Sequence, residues 1–345
     1  MGSASKYRRG DGGRRRDGRW RRDGRWRPEG RWRRAGLAAL ITGALVLPLS
    51  AAVRPETPAP APASLAPLSA STLDEAYAAN RANAVEAARM AAAHHDRDRA
   101  ATERRLAAPA RHLLRFDGRG SGRVTEVLGD LARADRVAVL VPGSDTSLDT
   151  YGRFHAAAAA LHRQLARQAP AGTRTAVVAW LGYETPGTVS TTVTTTGRAE
   201  QAAPHLRALV TDLRAITGDG PRISLLCHSY GSVVCGRSAA GLAVDDIALV
   251  GSPGTGADTA ADLHTRARVW AARGGDDWVE NVPHLGLDLF GTTVGFGTDP
   301  VSPAFGARAF AAGDVGHSEY FSPGSTSLTN LARIVLGETK AVTHD

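Results

Sequence analysis

The chain has 345 residues, of which 43% are hydrophobic and 6% aromatic, so one large domain with appendages or two small domains fit its length. The formal charge is +8, but residues 1–34 hold 14 Lys/Arg and 4 Asp/Glu, which leaves 28 basic and 30 acidic residues elsewhere. The folded part is therefore nearly neutral, and we expect it not to bind nucleic acid.

The N-terminus repeats a six-residue unit, in Arg15–Trp20, Arg21–Trp26 and Arg27–Trp32. So short a period, with glycine in every unit, cannot build a core, and residues 1–34 are predicted to be a disordered basic tail. Arginine interleaved with tryptophan could bind RNA by charge and stacking, or it could bind an anionic membrane surface. A basic flank that orients the next segment is the favoured interpretation.

Residues 35–53 are uncharged and mostly apolar. Basic residues precede them, which predicts that everything downstream is exported. Two interpretations stay open: a signal peptide cleaved at the small residues Ser50-Ala51-Ala52, or a retained anchor of about one bilayer thickness. In either case we expect the domain to be extracellular or held at the outer face of the cell membrane, with a cytoplasmic tail if the segment is uncleaved.

Two further segments precede the main domain. Residues 54–72 are rich in Pro, Ala and Ser, which predicts an extended linker that holds the domain away from the membrane. Residues 73–106 contain no proline or glycine and many Ala, Glu and Arg, which predicts one long helix. Its apolar stripe is weak, so it either packs on the domain or stands as a stalk.

From about Arg111 to Gly337, short aliphatic runs alternate with helical stretches, which predicts a mainly parallel sheet with helices on both faces. The predicted strands are Leu113–Phe116, Val124–Leu128, Val137–Val141, Thr175–Trp180, Ile223–Cys227, Asp246–Val250, Ala267–Ala271 and Ala307–Ala311. The predicted helices are Asp149–Gln168, Arg198–Thr217, Ser232–Gly241 and Ser325–Leu336.

The stretch Cys227-His228-Ser229-Tyr230-Gly231 has the layout of a nucleophile elbow, G-x-S-x-G, with cysteine in place of the first glycine. An apolar strand precedes it and a small-residue helix follows, which is the context that the motif requires. Ser229 is therefore the candidate nucleophile. Cys227 and Cys235, the only two cysteines, have no metal-ligand spacing. A bond between them is conceivable, but two buried thiols are favoured.

A serine nucleophile needs a base and an acid that orients the base. Two acids follow the strand that ends at Ala271; Asp277 is preferred, and Asp276 is the fallback. His317, between the last strand and the last helix, is the candidate base. Four other histidines are less suitable. We expect His228 to point away from the hydroxyl, His264 to lie exposed on a helix, His284 to lie in a long loop, and His344 to lie in a frayed tail.

Backbone N–H groups are needed to hold a developing oxyanion. One is expected from Tyr230, and the other from Ser144 or Asp145, with Ser144 preferred, in the loop after Val141. The chain has no G-x-G-x-x-G and no Walker lysine, so we expect no cofactor and no metal.

Several blocks, in this order, resemble a family of actinobacterial α/β-hydrolases defined by a domain of unknown function. They are VPG, AWLGYETP, CHSYGSVVCGR, LVGSPGTG, DPVSPAFGARAF and GHSEYF, and the resemblance covers roughly residues 111–337. The resemblance implies an α/β-hydrolase fold with Ser229, Asp277 and His317 as catalytic triad. Members usually carry G-H-S-Y-G, so Cys227 is a departure that bears on the tightness of the elbow.

The segment after Val250 is too short for a large lid. Residues 280–306, with Trp278 nearby, are expected to wall an apolar cleft beside His317, and Tyr183 to form a second wall. The apolar residues of that loop are Leu285, Leu287, Leu289, Phe290, Phe296 and Phe305. Such a cleft favours small-molecule or lipid esters as substrates. Acyl transfer by the same triad and a non-catalytic interaction module remain alternatives.

Overall fold

The computed structural model describes residues 57–187, 195–281, 287–289 and 292–344. The strands in these ranges are β1 His112–Asp117, β2 Arg123–Leu128, β3 Arg136–Val141, β4 Thr175–Leu181, β5 Arg222–His228, β6 Asp246–Val250, β7 Arg268–Ala272, β8 Leu287–Leu289, β9 Thr292–Val294 and β10 Arg308–Ala309. The α-helices are α1 Leu73–Ala93, α2 Arg97–Leu106, α3 Tyr151–Gln168, α4 Gly197–Thr217, α5 Gly231–Ser238 and α6 Thr326–Leu336.

Eight strands form one sheet in the order β1-β2-β4-β3-β5-β6-β7-β10, and β8 pairs with β9 separately. Neighbouring strands from β4 to β10 in that order run parallel, whereas β1 and β2 form an antiparallel edge. The mainly parallel sheet predicted from the alternating runs is confirmed. Because parallel strands end at one edge, the loops after β3, β5, β7 and β10 meet there, where open α/β sheets bind their ligands.

Both faces of the sheet are covered, which explains why its central strands are aliphatic throughout. On one face, side chains such as Val139 and Leu225 pack with Leu206 of α4 and Val233 of α5. On the other face, Leu140 packs with residues of α3 and α6. Successive residues of a strand point to opposite faces, so each central strand contributes to both cores.

The segment 73–106 forms two helices, not the single helix predicted. The chain turns at His95, whose φ is +62°, and the carboxylate of Asp96 accepts a hydrogen bond from the backbone N–H of Arg99. Aspartate is a favoured N-cap because it satisfies an amide that the new helix leaves unpaired. The side chain of Asn80 donates to the carbonyl of Leu114 at 2.9 Å, so α1 packs on the sheet edge and is not a free stalk.

The described part of the predicted linker also lies against the domain. Thr57 donates to the carboxylate of Asp96 at 2.6 Å, Asn83 donates to the carbonyl of Ala61 at 2.7 Å, and Leu68 is buried. These residues are therefore not a spacer. The basic tail and the apolar segment 35–53 lie outside the described residues, and none of the described helices is both long and apolar enough to cross a bilayer.

Candidate active site

Ser229 occupies the sharp turn between β5 and α5. Its φ is +52°, a left-handed conformation that is uncommon and strained for a non-glycine residue. The N–H of Ser229 donates to the carbonyl of Val250 at 3.0 Å. A Cβ at Gly231 would lie 2.6 Å from the carbonyl oxygen of Val141, so glycine is required there.

Three predicted side chains meet at this turn. His317 Nε2 lies 2.9 Å from Ser229 Oγ, and His317 Nδ1 lies 2.9 Å from Asp277 Oδ1. An ionised carboxylate can only accept hydrogen bonds. Nδ1 therefore carries the proton, and Nε2 is left to accept one from the serine hydroxyl.

The two candidate acids have different surroundings. Asp277 is 3% exposed, whereas its neighbour Asp276 is exposed and forms an isolated backbone bridge with Gly316. That bridge aligns the segment after β7 with the segment that carries His317. The structure therefore brings Asp277 to the imidazole and leaves Asp276 in solvent.

The charge on Asp277 is held by three hydrogen bonds. Burial opposes the charge, but bonds from His317, from Tyr320 and from the N–H of Val279 outweigh it and lower the pKa of Asp277. Tyr320 Oη donates to Asp277 Oδ2 at 2.5 Å and accepts from the N–H of Gly274 at 2.9 Å. Asp277 is thus fixed through both carboxylate oxygens.

His228 braces the segment that carries His317. Its Nε2–H donates to the backbone carbonyl of His317 at 2.6 Å, whereas the base that contacts the serine hydroxyl is His317. Burial, with a smaller contribution from the charge of His317, lowers the pKa of His228 to about 4. His228 is therefore a neutral donor near pH 7.

The structure gives His264 and His344 other surroundings. His264 is exposed at the end of the short 3₁₀ turn Ala261–Leu263, not on an α-helix. His344 is not frayed: its Nδ1 lies 2.5 Å from the carbonyl of Ala309. His284 lies outside the described residues.

The loop after β3 faces the serine closely. A Cβ at Gly143 would lie 2.6 Å from Ser229 Cβ and 3.2 Å from Ser229 Oγ. In the described part of the chain, the N–H groups of Ser144 and Tyr230 donate to no protein acceptor, whereas the N–H of Asp145 donates to Pro186 O at 3.1 Å. The amide of Asp145 is therefore occupied, whereas that of Ser144 is available to a ligand.

A cavity of about 590 Å³ opens over these groups, within the range typical of small-molecule sites. Part of its wall is aromatic: Trp278, whose ring centre lies 4.5 Å from that of His317, together with Phe154, Phe296 and Phe321. The described residues hold no group of three or more His, Cys, Asp or Glu that could bind a metal ion.

Four of the predicted wall residues can be compared with the structure. Trp278 and Phe296 line the cavity, but Phe305 is buried in the core. Tyr183 is wrong as a wall residue: it is buried and donates to the carbonyl of Pro142 at 2.6 Å, so it supports the loop after β3 from behind. Leu285 and Phe290, and the side chains of Leu287 and Leu289, lie outside the described residues.

The expectation of two buried thiols is wrong. Cys227 and Cys235 form a disulfide, with Cα atoms 6.4 Å apart. The sharp turn at Ser229 folds α5 back beside β5, which brings the two cysteines within the Cα separation that a disulfide needs.

Two contributors to the site were missed by sequence reasoning. Tyr320 falls in GHSEYF, but nothing in that pattern says that its hydroxyl reaches Asp277. Gly251 has a φ of +55°, and a Cβ there would lie 2.8 Å from Asp277 Oδ2. The glycine directly after β6 was the one available signal, since backbone often approaches a site closely at such positions.

Fold and site geometry together define the class as α/β hydrolases. Residues 117–287 match the family described as alpha/beta hydrolase. Two uncharacterized proteins from Mycobacterium tuberculosis strains CDC 1551 / Oshkosh and ATCC 25618 / H37Rv are each 30% identical over 256 residues, which cover 66% of this chain. The chain spans only 39% of the length of these relatives.

Solved structures of low sequence identity are also similar. Esterase PE8 has a TM-score of 0.40 at 19% identity, covering 60% of this chain and 95% of its own. XC6422 from Xanthomonas campestris, a serine hydrolase without lid, has a TM-score of 0.41 at 17% identity, covering 68% and 95%. Likeness at this level carries no information on substrate. Residues 117–287 of this chain belong to the alpha/beta hydrolase family.

Proposed function

We propose that the protein is a serine hydrolase that cleaves carboxylic esters through an acyl-enzyme. The observation that carries the proposal is the continuous hydrogen-bond path from Ser229 through His317 to Asp277, with both links at 2.9 Å. A hydroxyl within hydrogen-bond reach of a base, with the base oriented by an acid, is the signature of an activated nucleophile.

In the first half-reaction Ser229 Oγ attacks the ester carbonyl carbon while its proton passes to His317 Nε2. The carboxylate of Asp277 stabilises the imidazolium that forms, and the pKa of Asp277 is lowered, so the acid is ionised near neutral pH. His317 then gives its proton to the departing alkoxide. The alcohol leaves, and the acyl group stays on Ser229.

The oxyanion formed by this attack needs donors that are already oriented. The N–H groups of Ser144 and Tyr230, which donate to no acceptor among the described residues, flank the serine and suit this role. In the second half-reaction His317 takes a proton from water, whose oxygen attacks the acyl carbonyl. The proton returns to Ser229 Oγ, and the carboxylic acid is released.

The cavity supports an ester with an apolar acyl or alcohol group. Trp278 and Phe296 stand on its wall, and apolar walls contribute binding energy through the area that they remove from water. Small-molecule esters are therefore the proposed substrate class.

Hydrolysis of p-nitrophenyl esters of increasing acyl length tests this function. We expect turnover by the wild type and a loss of at least 1,000-fold in kcat for Ser229→Ala, with the fold retained by circular dichroism. Equal rates for the two proteins would exclude Ser229 as nucleophile. Adding an alcohol as competing acceptor separates the reactions, since an acyltransferase forms the new ester in place of the free acid.

We also propose that the domain acts outside the cytoplasm. The support is the disulfide Cys227–Cys235, since such bonds persist mainly in oxidising compartments, together with the uncharged segment 35–53 behind a basic tail. A C-terminal alkaline phosphatase fusion to the full chain should be active. An inactive fusion, with an active cytoplasmic control reporter at the same position, would contradict export.

A further inference from the structure

The disulfide stands at the position where the elbow motif has its first glycine. Cys227 lies two residues before Ser229, and its partner Cys235 lies six residues after it on α5. The disulfide therefore joins the end of β5 to α5, and the turn between them carries the nucleophile. Both cysteines are 0% exposed.

We propose that this disulfide is a positioning element for Ser229: it lets a side chain larger than hydrogen occupy the first glycine position without opening the turn. The inference rests on the proposed function of Ser229. It makes Cys227 and Cys235 positioning residues, and it explains the departure from G-x-S-x-G.

The reason is the space that an unbonded Cys227 side chain needs. Non-bonded heavy atoms rest about 3.5–4.0 Å apart, whereas in a disulfide each sulfur lies closer than this to both the sulfur and the Cβ of its partner. An unbonded Cys227 is therefore crowded even when residue 235 is reduced to alanine. Breaking the bond therefore requires the strand end and the helix to move apart, or a buried side chain to find another rotamer. Interiors are too densely packed to absorb such a change without cost.

The helix has little room to retreat. A Cβ at Gly231 would lie 2.6 Å from Val141 O, and one at Gly236 would lie 2.3 Å from Thr255 O. Backbone therefore packs directly on α5 near both of its ends. Ser232 Oγ also donates to the carbonyl of Cys227 at 3.1 Å. Since α5 is held in place, we expect an unbonded Cys227 to displace the backbone of the turn that carries Ser229.

Two variants that both lack the disulfide distinguish the positioning of Ser229 from stabilisation of the fold by the cross-link. Cys235→Ala keeps the large residue at position 227, whereas Cys227→Gly combined with Cys235→Ala restores the glycine of the motif. Each is compared with the wild type in kcat and KM on one p-nitrophenyl ester, well below the lowest melting temperature. The φ angle of Ser229 is measured in crystals of all three proteins.

We expect kcat to fall about 100-fold in Cys235→Ala, as for a catalytic group displaced by about 1 Å, with KM within about threefold of wild type. The double variant should recover to within about fivefold of wild type, although it has lost the same cross-link and melts at a similarly lowered temperature. Failure of Cys235→Ala to fold while the double variant folds would support the proposal too.

Three results would overturn it. One is an unchanged kcat in Cys235→Ala, which would leave the bond a purely stabilising role. Another is a double variant as impaired as the single one, and the third is failure of both variants to fold. If the wild type turns over no ester, the proposed function is contradicted, but the positioning role of the disulfide can still be tested in the crystals. The φ angle of Ser229 should then differ from +52° in Cys235→Ala and stay near it in the double variant.

Discussion

Tyr320 Oη donates a hydrogen bond to Asp277 Oδ2 at 2.5 Å, while His317 bonds to the other carboxylate oxygen. The tyrosine is fully buried and comes three residues after the histidine, so one short segment supplies both the candidate base and a brace for its acid. A carboxylate held at both oxygens cannot swing away from the imidazole. Tyr320 is therefore a positioning residue, not a catalytic one.

Tyr320→Phe should lower kcat about tenfold with little change in KM, because Asp277 loses one of its restraints. It should also cost about 1–3 kcal/mol of stability at pH 7, since the bond goes to a buried charged group. The pKa of Asp277 is lowered from 3.8 in the folded protein. The stability from that shift is present above about pH 4 and is lost as pH falls further.

The difference in urea-unfolding free energy between wild type and Tyr320→Phe should therefore shrink below about pH 4. A difference that stays constant from pH 7 to pH 3 would mean that Tyr320 contributes only packing.

Asp277→Asn should lower kcat by about 10⁴-fold, because an amide no longer favours the Nδ1-protonated imidazole and cannot stabilise its cation. Asp276→Asn is the matched control. Its side chain is exposed and adjacent in sequence, so its kcat should stay within about threefold of wild type. Stopped-flow measurement of acylation gives both values, and similar losses in the two variants would contradict the assignment of the acid.

His228→Gln should flatten the pH dependence of stability. The folded-state pKa of His228 is lowered from 6.5 to about 4 by burial. Its contribution is therefore fully present above pH 6.5 and is lost as pH falls toward 4, with a limiting slope of about 1.4 kcal/mol per pH unit. Glutamine can still donate to the carbonyl of His317 but does not titrate.

Urea unfolding at pH 7 and pH 5 measures this slope. The exposed His264→Gln is the control and should keep the slope of the wild type. An unchanged slope in His228→Gln would mean that His228 has the same pKa in the folded and unfolded protein, and it would contradict the lowered pKa.

Gly143→Ala should lower kcat by at least 100-fold, because the added Cβ would lie 2.6 Å from Ser229 Cβ and 3.2 Å from its Oγ. Gly152→Ala is the control, since a Cβ there meets nothing within 4 Å and alanine favours the helix. Kinetics and thermal melts of both variants check this. Wild-type kcat in Gly143→Ala would mean that the loop is further from the serine than the structure gives.

Much of the fold was readable from the sequence. The alternation of aliphatic runs with helical stretches predicted each central strand to within one or two residues, since buried parallel strands must be continuously apolar. The interruption of the helix at His95 was not predicted, because helix propensity over residues 73–106 is uniform. A residue with left-handed backbone leaves no signal in the composition. The packing of residues 57–69 against the domain was not predicted. A Pro-rich composition is compatible both with an extended spacer and with a segment that lies along the domain surface.

The site was readable where function imposes a local pattern. The elbow, the acid after β7 and the histidine after the last strand follow the chain order of their class. The tyrosine brace and the disulfide depend on distances between segments that share no sequence motif. Tyr183 was predicted to line the cleft because it follows a strand end. In the structure its hydroxyl donates to the buried carbonyl of Pro142 instead.

The central claim is that Ser229 is the nucleophile activated by His317. Intact-protein mass spectrometry after reaction with a fluorophosphonate probe, followed by peptide mapping, tests it most directly. We expect one probe per chain on the peptide that contains Ser229, loss of labelling in Ser229→Ala, and strongly slowed labelling in His317→Ala. Labelling of another residue at the wild-type rate, or no labelling of folded wild-type protein, would contradict the claim.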